Sequence, residues 1–157
     1  MRWVPYAVSA AAVVATLAVA GAGTRPTTDW YAALTKPPWQ PDPSLIGLAW
    51  AVIYPLIAIV GGFVWTRLEG RQQLTWALLL ALNLVLNAAW SLVFFVAQEP
   101  WWAVAEITLL LVSTLALVVM AWSVSLGAGG ALMLYAAWVA FAGWLTFTLA
   151  RLNSGQG

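Results

Sequence analysis

Residues 73–97 read QLTWALLLALNLVLNAAWSLVFFVA. No charge interrupts the stretch, and it is longer than the roughly 20 helical residues that cross a bilayer core about 30 Å thick. On a wheel of about 100° per residue, Asn83, Asn87, Trp90 and Phe94 fall within about 60° of one another. The run is therefore a transmembrane helix with a single polar and aromatic stripe on an otherwise aliphatic cylinder. Two amides cannot face hydrocarbon without losing their hydrogen bonds to water, so the stripe points into a helix bundle. At this level the amides serve equally well as bonds between helices or as contacts to a ligand.

Working outward, four more apolar runs of spanning length lie near 3–23, 45–65, 101–125 and 129–150. The reading is an all-α membrane protein, one domain over 1–157 built as a five-transmembrane-helix bundle. Backbone polar groups must be satisfied inside the bilayer, and the short alternating segments of a β-barrel are missing. The first run has a rival reading, because Met1-Arg2 and the small residues Ala18-Val19-Ala20 resemble a cleaved signal peptide. It continues apolar to Gly23, longer than the usual h-region, and is expected to stay as a span.

The composition excludes several function classes. The chain is 64% hydrophobic and 7% charged, with six basic and five acidic residues, so no basic patch exists for a nucleic-acid backbone. With no Cys and no His, zinc sites, haem ligation by those residues, disulfides and Ser/His or Cys/His nucleophiles are unavailable, and no metal site is expected. Chemistry falls to carboxylate, amide, hydroxyl and indole groups. The positive-inside rule leaves orientation open, since Arg2, Arg67 and Arg71 on one side balance Arg25, Lys36 and Arg151 on the other.

The loop 24–44 holds five of the eight prolines together with Trp30, Tyr31, Leu34 and Trp39. Such rings suit a membrane interface or a cavity lid, and the loop is expected to act as a lid. The other connections, near Arg67–Arg71, Gln98–Pro100 and Gly127–Gly130, are short, which predicts that consecutive helices are antiparallel neighbours. Trp50, Tyr54 and Ile57 share one face of the second run, and Trp138, Ala142 and Leu145 share one face of the fifth. Chain direction brings both faces, with Asn87 and Trp90, together beneath the loop. For any single membrane Trp, ordinary packing or an interfacial belt is the commoner account. Glu106 is the ionisable residue well inside an apolar run, either a functional group or a carboxyl that fixes the bundle. Small-residue strips, Ala77/Ala81/Ala88 on the third run and Ala136/Ala140/Gly143 on the fifth, offer close helix approach and a candidate dimer contact.

Together these residues resemble the TspO/MBR family, the tryptophan-rich sensory, translocator or peripheral benzodiazepine receptor proteins. The resemblance rests on Trp30-Tyr31-x-x-Leu34-x-Lys36-Pro37-x-Trp39-x-Pro41, Trp50-x-x-x-Tyr54, Leu86-Asn87-x-x-Trp90-Ser91-x-x-Phe94-Phe95, Glu106, Tyr135-x-x-Trp138-x-Ala140-Phe141-Ala142 and Arg151-Leu152-Asn153. It implies a multi-pass protein of a bacterial cell membrane, usually a homodimer. The implied ligands are porphyrins such as protoporphyrin IX, sterols and benzodiazepine-type or isoquinoline carboxamide molecules, with no covalently bound cofactor. The ligand-binding residues so implied, together with those the wheels bring beneath the loop, are Tyr31, Trp39, Pro41, Trp50, Tyr54, Asn83, Asn87, Trp90, Glu106, Trp138, Ala142 and Leu145. The chain departs from the family at Asn83, often Gln, at Leu134, often Pro, and at Thr146 and Phe147, where Asn and Tyr are usual. The last two leave the proposed sterol motif incomplete, so sterol binding is not carried over.

Three functions compete. The first is a receptor or carrier for tetrapyrroles and hydrophobic drug-like ligands, acting in stress sensing or transport. The second is a light-dependent porphyrin-degrading enzyme in which Trp50 and Trp138 are the implicated residues, and the third a small multidrug exporter using Glu106.

Overall fold

The computed structural model describes residues 3–24 and 28–155; Arg2 and Arg25 of the charge balance lie outside them. Among the described residues, five helices of 20 to 27 residues each are long and apolar enough to cross a membrane. At 1.5 Å per residue they are about 30–40 Å long, enough to cross the hydrocarbon core. They are α1 (Val4–Gly23), α3 (Pro43–Trp65), α4 (Gly70–Ser91, continued by a π-helical turn, Leu92–Val96), α5 (Pro100–Val124) and α6 (Leu126–Leu152). A short helix, α2 (Asp29–Ala33), lies in the long loop. The protein is a multi-pass all-α membrane protein.

Helix boundaries follow caps rather than the edges of hydrophobicity. Pro43 and Pro100 open α3 and α5, where the missing N–H costs nothing and the fixed φ is already helical. Asp42 caps α3 by accepting from Ser44 N at 2.8 Å and Ser44 Oγ at 2.6 Å. The side-chain and then the backbone bond from Ser44 hold the Asp42 carboxyl below its ordinary 3.8, so this cap weakens only as pH falls into the acid range. The fifth span starts three residues earlier than its hydropathy implies. Gly127–Gly130, read from sequence as a connection, lies inside α6, and Ser125 alone joins α5 to α6. Glycine at 129 lets the Trp122 ring of α5 lie against the α6 backbone.

Backbone packing places the spans in a ring in the order α1, α3, α6, α5, α4 and back to α1, with α5–α6 the most extensive pair. One expectation from the short connections fails here. The α3 and α4 backbones, joined by four residues, stay apart over most of their length because core side chains fill the space between them. Side chains bridge them instead: Trp76 Nε1 donates to Gly61 O at 3.1 Å, and Tyr54 OH to Asn87 Oδ1 at 2.8 Å. The core holds Ile57, Val64, Trp76, Leu117, Leu132 and Val139, while Leu48, Val52, Leu78, Val85, Val112 and Val119 face outward, as a lipid solvent requires. Of the two small-residue strips, Ala81 is exposed on α4, with Ala77 and Ala88 half-buried. On α6, Ala136 is buried and Gly143 faces Ile107, while Ala140 is exposed, so only part of that strip serves α5–α6 packing.

Candidate functional site

A cavity of about 300 Å³ lies inside the ring beneath the long loop, at the low end of the range for small-molecule sites. Among the described residues, none that lines it is charged. Its aromatic walls come from three helices. Trp50 of α3 stacks on Tyr54 at 5.1 Å between centroids and meets Trp138 of α6 edge-on at 6.3 Å. Trp90 of α4 stacks on Phe94 at 5.3 Å with 12° between planes.

The π-helical turn explains that second wall. Ala97 N bonds Leu92 O at 2.8 Å, five residues back, and Gln98 ends the turn in the left-handed conformation at φ 58°. With the turn widened, Phe94 and Phe95 are both buried and both line the cavity. An α-helical wheel placed Phe94 there and missed Phe95.

The roof is the loop. Tyr31 lines the cavity and packs on Phe94 at 6.4 Å and Phe95 at 5.3 Å, while Trp30 meets Phe94 at 5.6 Å. Gln40 Nε2 donates to Tyr31 OH at 3.0 Å. Burial pushes the Tyr31 phenol above its ordinary 10.0, against a smaller opposing effect of the Gln40 bond, so it stays neutral near pH 7. Lys36 Nζ donates to the carbonyls of Tyr31, Ala32 and Leu34 and lies 4.7 Å above the Tyr31 ring, so this cation holds the loop's own backbone together. Asn153 clasps the loop to the end of α6: its Oδ1 accepts from Thr35 N at 2.8 Å, and its Nδ2 donates to Thr35 O at 3.1 Å.

Beneath the cavity a chain of hydrogen bonds ties four helices. Tyr54 OH donates to Asn87 Oδ1, and Asn87 Nδ2 donates to Tyr135 OH at 3.1 Å. Tyr135 OH then donates to Asn83 Oδ1 at 3.0 Å, and Asn83 Nδ2 donates to Ser113 Oγ and Thr114 Oγ1, each at 2.9 Å. The network separates the two amides that share one stripe. Asn87 lines the cavity; Asn83, one turn deeper, is wholly enclosed and spends its bonds on α5 and α6. We expect Asn83→Leu to lower stability by about 1–2 kcal/mol, since it orphans buried partners, with ligand affinity retained. Asn87→Leu should reduce affinity as well. Thermal unfolding in detergent beside a binding titration distinguishes them, and equal effects of both substitutions on affinity would contradict this division.

Of the twelve sequence-derived site residues, Tyr31, Trp50, Tyr54, Asn87, Trp90, Trp138, Ala142 and Leu145 line the one cavity. Four stand off its wall. Trp39 is 42% exposed and rests edge-on against Phe141 at 6.1 Å, on the outer side. Pro41 is half-buried in the loop, Asn83 is enclosed in the network, and Glu106 lies on α5 beside the lining residue Ile107 without reaching the cavity. Both Glu106 carboxyl oxygens are buried and have no hydrogen-bond partner among the described residues. Sequence reasoning missed the contribution of α1, where Leu17, Ala20, Gly21 and Thr24 line the cavity and Thr24 Oγ1 donates to Ser91 Oγ at 3.2 Å. Only the small residues at the end of that run hinted at it.

Two further polar atoms matter chemically. The indole N–H groups of Trp90 and Trp138, both cavity-lining residues, are buried with no acceptor among the described residues. Such donors are uncommon in native interiors because each forfeits the hydrogen bond it had in water. The site thus combines flat aromatic faces, unused donors and no charge.

The comparisons with known proteins agree with this architecture. The model of the TspO/MBR family matches residues 7–152. The chain is 35% identical over 130 residues to the translocator protein of Ovis aries, covering 81% of this chain and 76% of that one. It is 32% identical over 124 residues to the tryptophan-rich protein TspO of Bacillus cereus, covering 79% and 80%. It is also 31% identical over 128 residues to protein CrtK of Rhodobacter capsulatus, covering 81% and 80%. With the family pattern running through all five spans and the cavity formed where its motifs converge, the chain belongs to the TspO/MBR family.

Proposed function

We propose that the protein is a membrane receptor or carrier for flat hydrophobic molecules, tetrapyrroles such as protoporphyrin IX foremost, with drug-like hydrophobic ligands as further occupants. The observation that carries this reading is the pair of unused indole donors, Trp90 and Trp138, on residues lining an uncharged cavity walled by stacked rings. A planar ligand gains stacking area on these rings, and its carbonyl or ring-nitrogen acceptors satisfy the buried donors when the rings turn toward it. Family membership supports the reading, and the name translocator protein, carried by the Ovis aries relative, accords with carriage. A role in stress sensing or tetrapyrrole transport follows from the same ligand class. The proposal includes a homodimer. Its candidate contacts are the exposed members of the two small-residue strips, Ala81 of α4 and Ala140 of α6.

One specific observation favours a second reading, breakdown of bound porphyrin in light: Trp50 and Trp138 touch edge-to-face on the cavity wall. The exporter reading loses its support, because Glu106 stands off the cavity. The deciding experiment titrates purified protein with protoporphyrin IX in darkness, following Trp fluorescence, and then illuminates the complex. Saturable quenching with stable porphyrin absorbance is the expected result. Absorbance loss faster than for free porphyrin assigns an enzyme, and absence of saturable quenching rejects the tetrapyrrole reading.

A further inference from the structure

The helices α1 and α3 face each other through glycines at both ends, with opposite consequences. Away from the loop, Gly62 lets the α3 backbone meet Tyr6, and a Cβ there would stand 2.7 Å from Tyr6 Cα. A Cβ on neighbouring Gly61 would stand 3.1 Å from Ser9 Oγ. The pair is closed at that end. Towards the loop, Gly21 of α1 and Gly47 of α3 both stand at the wall of the cavity. Here a Cβ on either glycine would meet nothing within 4 Å. Both glycines are exposed, and both line the cavity together with Leu17 and Ile46.

The cavity is therefore open sideways where it is shut above. Tyr31 roofs it, Trp30 and Tyr31 are packed on Phe94 and Phe95, and Asn153 ties Thr35 down. The opening lies between two transmembrane helices, near their loop-side ends, so lipid borders it.

We infer that ligands reach the cavity from the loop-side leaflet of the bilayer, through the gap that Gly21 and Gly47 keep open between α1 and α3. The class admitted is the lipid-dissolved molecule whose inserted part is uncharged, because no charged side chain among the described residues lines the cavity to offset a buried ion. A tetrapyrrole diacid then keeps its carboxylates at headgroup level while its apolar edge enters. The ligand part of this inference rests on the function proposed above; the route itself does not.

The test uses the full chain in lipid nanodiscs. Gly21→Leu and Gly47→Leu together fill open space, so the double variant should fold, which its thermal unfolding checks. Stopped-flow Trp quenching by protoporphyrin dimethyl ester should show association and dissociation both slowed by at least about tenfold, with their ratio changed less than either rate, as for a narrowed passage. Asn153→Ala, which unties the loop, should leave both rates at the parent level. Because the chain has no Cys, a single Leu145→Cys inside the cavity gives a readout without porphyrin. Its reaction with N-ethylmaleimide should slow by a similar factor when the gap is filled. Parent-level rates and labelling in the folded double variant, or acceleration by Asn153→Ala, would overturn the lateral route. Loss of porphyrin binding by the parent, with labelling still slowed by the gap-filling pair, would reject the tetrapyrrole reading and keep the route.

Discussion

Gly62→Val is expected to be the most damaging single substitution on the α1–α3 face, lowering stability by about 3 kcal/mol or more, the upper range for overpacking. The nearest obstacle to a new Cβ at Gly62 is the backbone of Tyr6 at 2.7 Å, with the ring carbons at 2.7 and 2.8 Å beside it. A side chain can rotate aside; a helix backbone must retreat as a whole. In lipid such close approach is the main source of helix association, since hydrocarbon tails compete equally for apolar surface. Gly21→Leu on the partner helix should cost nothing and gain about 1 kcal/mol of helix propensity. Thermal unfolding of the two variants in the same detergent reads the contrast. A Gly62→Val protein that melts with the parent would mean that α1 is not held against α3 by this contact.

Replacing both Trp50 and Trp138 by Ala should weaken porphyrin binding about a hundredfold, near 2–3 kcal/mol, the scale of paired aromatic hot spots. The two rings meet edge-on at 6.3 Å and form one corner of the cavity, and Trp138 also carries one of the unused donors. Phe at each position keeps part of the stacking face, so the double Phe variant should lose less. Trp138→Phe should account for most of that smaller loss, because the N–H it removes is one of the unused buried donors, as that of Trp50 is not. Neither residue belongs to the hydrogen-bonded chain through Tyr54, Asn87, Tyr135 and Asn83. The folded fraction should therefore hold while affinity falls. Unchanged affinity in a folded double Ala variant would place the ligand elsewhere.

The contrast between Asn83 and Asn87 shows how far a sequence pattern reaches. A wheel placed both amides on one stripe of the third span, and they do share it. Both bond to protein, and whether each also borders the cavity depends on what the other helices bring to that depth. Ser113 and Thr114 of α5 meet Asn83, while Asn87, bonded to Tyr54 and Tyr135, lines the cavity. Glu106 illustrates the same limit. Its rarity marked it for function, but the turn of α5 that carries it presents Ile107 and Leu110, not the carboxylate, to the cavity. Phe95 escaped the wheel because a π-helical turn breaks the 3.6-residue period on which wheels depend.

By itself the sequence determined that this is a five-span helical membrane protein, because unbroken apolar length and the demand for internal backbone hydrogen bonds admit no other form here. It also determined that Trp50, Tyr54, Asn87, Trp90 and Trp138 gather at the loop side, since wheel angle and chain direction are local quantities. Only the tertiary structure decided the order of helices round the ring, the enclosure of Asn83 and the open space around Gly21 and Gly47. Glycine admits both close contact and open space between helices. Which one results is set by where the partner helix runs, and that depends on the packing of all five spans together.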